Sequence, residues 1–130
     1  MATAAADLQS LYKATSSQTT ASRAGIDNAN TLSKLYCLID PYVRISLSRP
    51  HATAIVIQPF VVELTPKEGG YMVTSNISNA FELGTTAGQA LRNYLEFLAD
   101  ELVWLQKNVE QLSPSILGDL RLLQDYLRIV

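Results

Sequence analysis

The apolar positions among the first 40 residues favour helices on either side of a polar connection. A short stripe at helical spacing consists of Leu8, Leu11 and Tyr12. Residues 14–31 contain one large aliphatic side chain, so they bury little surface to offset the entropy of ordering. A second helical repeat comprises Ile26, Ala29, Leu32, Leu35, Tyr36 and Ile39. Asp40-Pro41 ends this repeat, because proline disfavours helical geometry in the preceding residue, and we predict a helix near residues 26–39.

From Tyr42 onward the apolar period changes from 3.6 residues to two. Alternation with polar side chains predicts a half-buried strand through Val43, Ile45 and Leu47. Two β-branched and apolar runs, 54–57 and 60–64, flank Pro59 and predict a strand with a break or edge position at the proline. A turn at 65–70 leads into extended residues 71–74, which completes a hairpin. A short third strand follows at residues 80–83.

The last 45 residues carry the spacing of two helices. Thr86 begins the longer one, and Gln89 three residues later completes the sequence of a capping box. Its apolar seam over residues 87–112 consists of Leu91, Leu95, Leu98, Leu102, Leu105, Val109 and Leu112. Ser113-Pro114 has the sequence of a second helix start, and the same spacing then continues to Val130. We therefore predict a C-terminal helical hairpin.

These patterns together predict an α+β fold in two units. The first unit, residues 1–40, is an N-terminal helical segment with a flexible connection. The second unit, residues 42–130, contains a small antiparallel sheet of three to five strands. The long helix packs on this sheet, and the C-terminal helical hairpin and the N-terminal helices complete the predicted architecture.

Length, composition and charge narrow the class of protein. The chain has 130 residues, of which 48% are hydrophobic, so it is long enough for one domain and too apolar for wholesale disorder. No apolar run approaches the roughly 20 residues of a membrane span. The net charge of −2 provides no general attraction to phosphate, and no basic patch is visible. We expect a soluble, cytoplasmic protein without an N-terminal signal, for which nucleic-acid and membrane partners are not predicted.

The residues that usually carry chemistry are sparse in this chain. A single cysteine rules out a disulfide within the chain, and Cys37 lies among apolar residues, which favours a core position over a nucleophile. His51 follows the turn-like dipeptide Arg49-Pro50, so an exposed loop histidine is expected. There is no Gly-rich phosphate loop, nucleophile elbow or His-Glu-x-x-His motif. We predict no catalytic residue, no cofactor and no metal site, and therefore no enzyme.

Residues 60–105 resemble the small β-β-β-α domain of HicB-like antitoxins. Three features carry the resemblance: a strand that ends in the Lys-Glu-Gly-Gly turn before Tyr71, a short strand that ends at Gly84, and a characteristic helix start. That helix start comprises Gly84, Thr86, Gln89, Ala90 and Leu91. The resemblance covers about one third of the chain. The single helix after Pro114 is too short for the DNA-binding domain that operon-repressing members append, so operator binding is not implied.

The resemblance implies a partial RNase H-like sheet without a catalytic carboxylate cluster, which acts by covering a toxin, typically a small ribonuclease that is similar to double-stranded-RNA-binding domains. The residues agree with an inactive sheet, because metal-dependent nucleases need several converging carboxylates. The predicted strands and turn supply only Glu63, Glu68 and Glu82, which solvated surface positions explain better.

Two functions from different classes follow from these patterns. The first is a binding module that sequesters a small protein partner through a sheet edge or the long helix. The second is a self-associating structural module, or a secretion-chaperone-like dimer, with no toxin partner. The apolar arc of the long helix is wide, and the predicted interface comprises Tyr94, Phe97, Trp104 and Leu105. We favour a homodimer that buries these interface residues. The alternative is that residues of the N-terminal helix, Leu32, Leu35 and Ile39, cover them within the same chain.

Overall fold

Seven strands and two α-helices follow one another in a computed structural model that describes residues 34–49 and 51–130. The strands are β1 Leu35–Ile39, β2 Arg44–Ser48, β3 His51–Val56, β4 Phe60–Lys67, β5 Gly70–Ser75, β6 Ser78–Gly84 and β7 Leu127–Ile129. The helices are α1 Ala87–Lys107 and α2 Pro114–Tyr126, with a 3₁₀ turn at Val109–Gln111 between them. The predicted α+β class and the C-terminal helical hairpin are confirmed, whereas the other N-terminal predictions, for residues 1–33, lie outside the described residues.

The strands form two antiparallel sheets rather than the one that was predicted. The order in the four-stranded sheet is β1-β4-β5-β6, and the order in the three-stranded sheet is β2-β3-β7. The chain changes sheet after β1, where Tyr42 has a left-handed φ of 74° and its N–H donates to Val56 O at 2.7 Å. It changes back at Pro59, which therefore separates strands of different sheets and does not interrupt a single strand.

The predicted helix near residues 26–39 is wrong for its last five residues, which form β1. Leu35, Cys37 and Ile39 are buried while Tyr36 and Leu38 are exposed, and the segment pairs antiparallel with β4. All five side chains are apolar, so the segment fits a period of two as well as a period of 3.6. Pairing with β4, which lies more than 20 residues away in the chain, decides between the two periods. The strand therefore belongs to the α+β domain and not to a separate N-terminal segment.

Helix α1 lies against both sheets and supplies more buried side chains to the shared core than any other element. It packs on β5 and β6 of one sheet, on β2 and β7 of the other, and on α2. Its buried leucines are Leu91, Leu95, Leu98, Leu102 and Leu105, which confirms the predicted seam over that length. The helix ends at Lys107 and not at residue 112, because Asn108 Nδ2 donates to Trp104 O at 2.8 Å and the chain then turns back into α2.

The C-terminal residues leave the helix and join the three-stranded sheet. The prediction that helix α2 continues to Val130 is wrong, because Leu127–Ile129 pair with β3 as β7. Hydrogen bonds at both ends hold this strand in place: Ile57 N donates to Tyr126 O at 2.8 Å, and Val130 N donates to Thr53 O at 2.9 Å. Strand pairing satisfies backbone groups that a continued helix end would leave to solvent.

The start of α1 is defined by a side-chain cap. Gln89 N donates to Thr86 Oγ1 at 3.0 Å, which confirms Thr86 as the N-cap. The reciprocal half differs from a standard capping box, because Gln89 Oε1 accepts from Thr85 N at 2.8 Å and not from Thr86 N. Ser113 caps α2 in the same way through Ile116 N at 3.3 Å.

The junction between β6 and α1 depends on Gly84. A Cβ at this position would lie 2.6 Å from Ala90 Cα and 2.9 Å from Gln89 C, which are backbone atoms that cannot move aside. By contrast, Gly118 in the interior of α2 has nothing within 4 Å of a Cβ position. The same substitution is therefore excluded at one glycine and accommodated at the other.

We expect Gly84→Ala to lower the free energy of unfolding by about 2 kcal/mol or more, because the added methyl group forces the strand end away from the helix. Gly118→Ala is the matched control and should raise stability by about 1 kcal/mol, the helix-propensity difference between the two residues. Urea titrations followed by circular dichroism measure both. Equal stability of Gly84→Ala and the wild type would show that the junction is looser than described.

We expect Thr86→Ala to lower the free energy of unfolding by about 1 kcal/mol, because the amide of Gln89 loses its acceptor. Thr86→Ser keeps the oxygen and should retain most of the stability. Denaturant midpoints for the three proteins provide the measurement. If the alanine and serine variants lose the same amount, the methyl group of Thr86 matters and the cap does not.

Candidate protein-binding surfaces

The predicted interface residues on α1 separate into buried and exposed positions. Tyr94 and Leu105 lie in the core of the chain, and Phe97 is partly buried against it. Trp104 is 57% exposed on the outer side of the helix. Most of the predicted interface residues therefore lie inside the chain, and Trp104 is the most exposed of the four.

Tyr94 has a structural contact that sequence reasoning did not find. Its hydroxyl lies 2.5 Å from Ser75 Oγ, and Ile77 N donates to the same serine oxygen at 3.3 Å. Burial raises the pKa of the Tyr94 hydroxyl, an effect that the hydrogen bond to Ser75 partly opposes. Together with buried Ile77, this contact ties the β5–β6 turn to α1. The sequence did contain a signal for this contact: Tyr94 lies in a leucine seam, and a buried tyrosine hydroxyl usually has a hydrogen-bond partner.

The four-stranded sheet has an apolar face that α1 does not cover. The side chains that alternate with the buried positions point to this open face. Its large exposed apolar members are Tyr36, Leu38, Val61, Phe81 and Leu83. Strand pairing places Leu38 beside Val61 and Leu83 beside half-buried Met72. A half-buried sheet normally presents polar side chains to water, so this composition is unusual for a solvated face.

The centre of the open face is polar and internally neutralised. Glu63 and Thr74 are opposite each other on β4 and β5, and Thr65 is opposite Met72. Lys34 Nζ lies 3.2 Å from a carboxylate oxygen of Glu63, so the acidic group at the centre already has a basic partner. The face therefore consists of two apolar ridges, one on β1 and β4 and one on β5 and β6, beside a polar strip in which Lys34 offsets the charge of Glu63.

The remaining candidate groups do not form a reactive cluster. Cys37 is fully buried in β1, which confirms its predicted core position on a strand instead of a helix. His51 is exposed and is the first residue of β3, not part of a loop. Glu63 lies on the open face and Glu68 in the β4–β5 turn. Within residues 34–49 and 51–130, no three His, Cys, Asp or Glu side chains are grouped so that they could hold a metal ion.

Comparison with protein-family models, with characterised proteins and with solved structures found no match to this chain. The resemblance to HicB-like antitoxins therefore stays a prediction from residues 60–105. Neither helix of the described part of the chain is long and apolar enough to cross a membrane.

The helical hairpin contains one electrostatically unfavourable carboxylate. Partial burial raises the pKa of Glu101 above its ordinary value of 4.5, and the negative charge of Asp119 on α2 raises it further. A carboxyl group with a raised pKa binds its proton more tightly in the folded state than in the unfolded state. Its charged form at neutral pH therefore opposes folding of the hairpin, and protonation relieves that cost as the pH falls.

We expect Glu101→Gln to be more stable than the wild type at pH 7 and to lose this advantage as the pH falls through the raised pKa towards 4.5. Asp119→Asn should show the same sign because it removes the repulsion. Asp125→Asn, an exposed change of equal charge on α2, is the control. Thermal melts from pH 4.5 to 8 measure the difference, and a Glu101→Gln advantage that grows as the pH falls would contradict this account.

Proposed function

We propose that the protein is a cytoplasmic, non-enzymatic protein-binding module. In this proposal its open sheet face packs against a second copy of the chain, and the assembled module sequesters a small protein partner. The observation that carries the proposal is the open face with its five exposed apolar side chains. Together they expose on the order of 400 Å², which is within the size range of functional surface patches on soluble proteins.

A second copy of the chain suits this face because the face carries little net charge. The Lys34–Glu63 ion pair neutralises its centre, so two copies meet without repulsion although the whole chain has a net charge of −2. Two-fold symmetry places the same patch on both sides of an interface, and packed sheets align their strands within about 30°. The apolar patch is about half of the roughly 800 Å² that each partner buries in a stable complex, so we expect a dimer that dissociates on dilution.

A small basic protein is the partner that the resemblance to HicB-like antitoxins suggests. Two observations support this part of the proposal. The order of β4, β5, β6 and α1 is that of the β-β-β-α pattern on which the resemblance rests. The net negative charge of the chain is complementary to a basic surface and would favour association with it.

We expect light scattering coupled to size-exclusion chromatography to show a concentration-dependent dimer for the wild type. Phe81→Glu should be a folded monomer, because it places a charge on the apolar ridge that β5 and β6 contribute to the interface. Trp104→Glu is the matched variant, since Trp104 is 57% exposed and Phe81 is 55% exposed, but it lies on α1 and should leave the dimer intact. Circular dichroism checks that both variants remain folded.

Two results would contradict the proposed arrangement. A wild type that stays monomeric up to millimolar concentration would rule out self-association. Dissociation by Trp104→Glu with an intact Phe81→Glu dimer would place the interface on the helical hairpin, as the sequence pattern predicted, and would show that the open sheet face is not the contact surface.

A further inference from the structure

A second surface lies at the boundary between the two sheets. Here a groove of about 340 Å³ is bordered by β2, by β6 and by α1. The side chains that matter for its chemistry are Ser46, Ser48, Glu82, Glu96, Phe97 and Asp100. Strands β2 and β6 are each the outermost strand of their sheet in the described part of the chain, so both present an edge at this boundary.

The hydrogen-bond pattern shows that two groove residues of β2, Ser46 and Ser48, direct their backbone groups away from β3. Thr53 is opposite Ser46 in the β2–β3 pair, and its carbonyl accepts from Val130 N at 2.9 Å on the far side of β3. In an antiparallel pair, the backbone N–H and C=O groups of two opposite residues either both point towards the partner strand or both point away from it. Ser46 therefore directs its N–H and C=O away from β3, and by alternation Ser48 does the same.

The edge of β6 is oriented towards α1 and is partly satisfied there. Asn93 Nδ2 of α1 donates to Leu83 O at 2.9 Å, so this carbonyl points away from β5. Edge strands with free backbone groups are templates for pairing with another chain. Because Asn93 already occupies this carbonyl of β6, β2 is the edge that the described residues leave available for a new strand.

The charges at the groove favour one class of partner. Three carboxylates, those of Glu82, Glu96 and Asp100, line it together with the single guanidinium of Arg49. No ion pair within 4 Å joins Arg49 to any of them in the part of the chain that the structure describes. The groove therefore has an excess of negative charge, with the partly buried ring of Phe97 as its apolar surface.

We propose that this groove binds a short extended segment of a partner protein, which adds a strand to the edge of β2 and directs Lys or Arg side chains at the three carboxylates. The backbone of Ser46 and Ser48 supplies the pairing groups, and the carboxylates select a basic sequence. An α-helix, about 10 Å across, could not pair with the edge of β2, to which no other described strand is bonded. This inference extends the proposed protein-binding function to a site separate from the open sheet face.

The test uses the full chain and the peptide acetyl-Val-Lys-Val-Lys-Val-amide as the probe. Alternation places both lysines on one face of the added strand, towards the carboxylates, and the valines on the other. In NMR titrations we expect the amide signals of Ser46 and Ser48 to shift and their hydrogen exchange to slow. A peptide with glutamate in place of lysine tests the charge, and one with N-methylated valines tests the backbone pairing. Neither of these two should bind.

Matched variants test whether the carboxylates of the groove contribute to peptide binding. Glu96→Gln and Asp100→Asn should each weaken peptide binding by about two- to fivefold, as expected for partly exposed ion pairs. Glu110→Gln in the 3₁₀ turn removes an equal charge outside the groove and should leave the affinity unchanged. The backbone spectrum of each variant establishes that it is folded before its affinity is compared.

Three outcomes would overturn the inference. The first is an absence of shifts at Ser46 and Ser48 up to millimolar peptide. The second is a set of shifts confined to the open sheet face. The third is slow exchange of both amides before peptide is added, which would mean that the protein's own chain or a second copy already occupies the edge. Because Phe81→Glu should still bind the peptide, failure of the dimer and failure of the groove are separate results.

Discussion

The fold depends on one helix that packs against two sheets at once. A sheet buries its apolar face only against another element, and α1 contributes side chains to the core of both sheets, with Leu91, Leu95 and Leu98 fully buried. The close approach at Gly84 and the cap at Thr86 set where this helix begins relative to β6. Asn108 sets where it ends, which allows α2 to fold back and β7 to complete the second sheet.

This arrangement determines which surfaces stay available. A single helix can cover only one face of the four-stranded sheet, so the opposite face keeps apolar side chains such as Phe81 and Leu83 in contact with solvent. Because the sheets meet at α1 without pairing to each other, β2 and β6 are edges at their common boundary within residues 34–49 and 51–130. The apolar face suits a symmetric partner, whereas the boundary groove, with its carboxylates, suits an extended basic segment. Both surfaces are consequences of how the core is built.

Sequence reasoning was most accurate where local chemistry decides the structure. The period-two alternation at Val43, Ile45 and Leu47, the hairpin at the Glu68-Gly69 turn and the caps of both helices were all predictable, because each depends on a few neighbouring residues. The leucine seam was likewise correctly assigned to a helix with one buried side. Of the four predicted interface residues, however, Tyr94 and Leu105 serve the core of the chain, since a wide apolar arc does not reveal how many elements cover it.

The amino-acid pattern was thus sufficient for the α+β class, the position of the hairpins and the start of each helix, because these depend on propensities and caps that act over a few residues. Pairing between distant segments controlled the rest. Leu35–Ile39 is a strand because it pairs with β4, and Leu127–Ile129 is a strand because it pairs with β3. The division into two sheets, and with it the open face and the groove, arises from the same long-range hydrogen bonds. The spacing of apolar residues does not predict these hydrogen bonds, because a short run of apolar residues is compatible with a helix and with a strand.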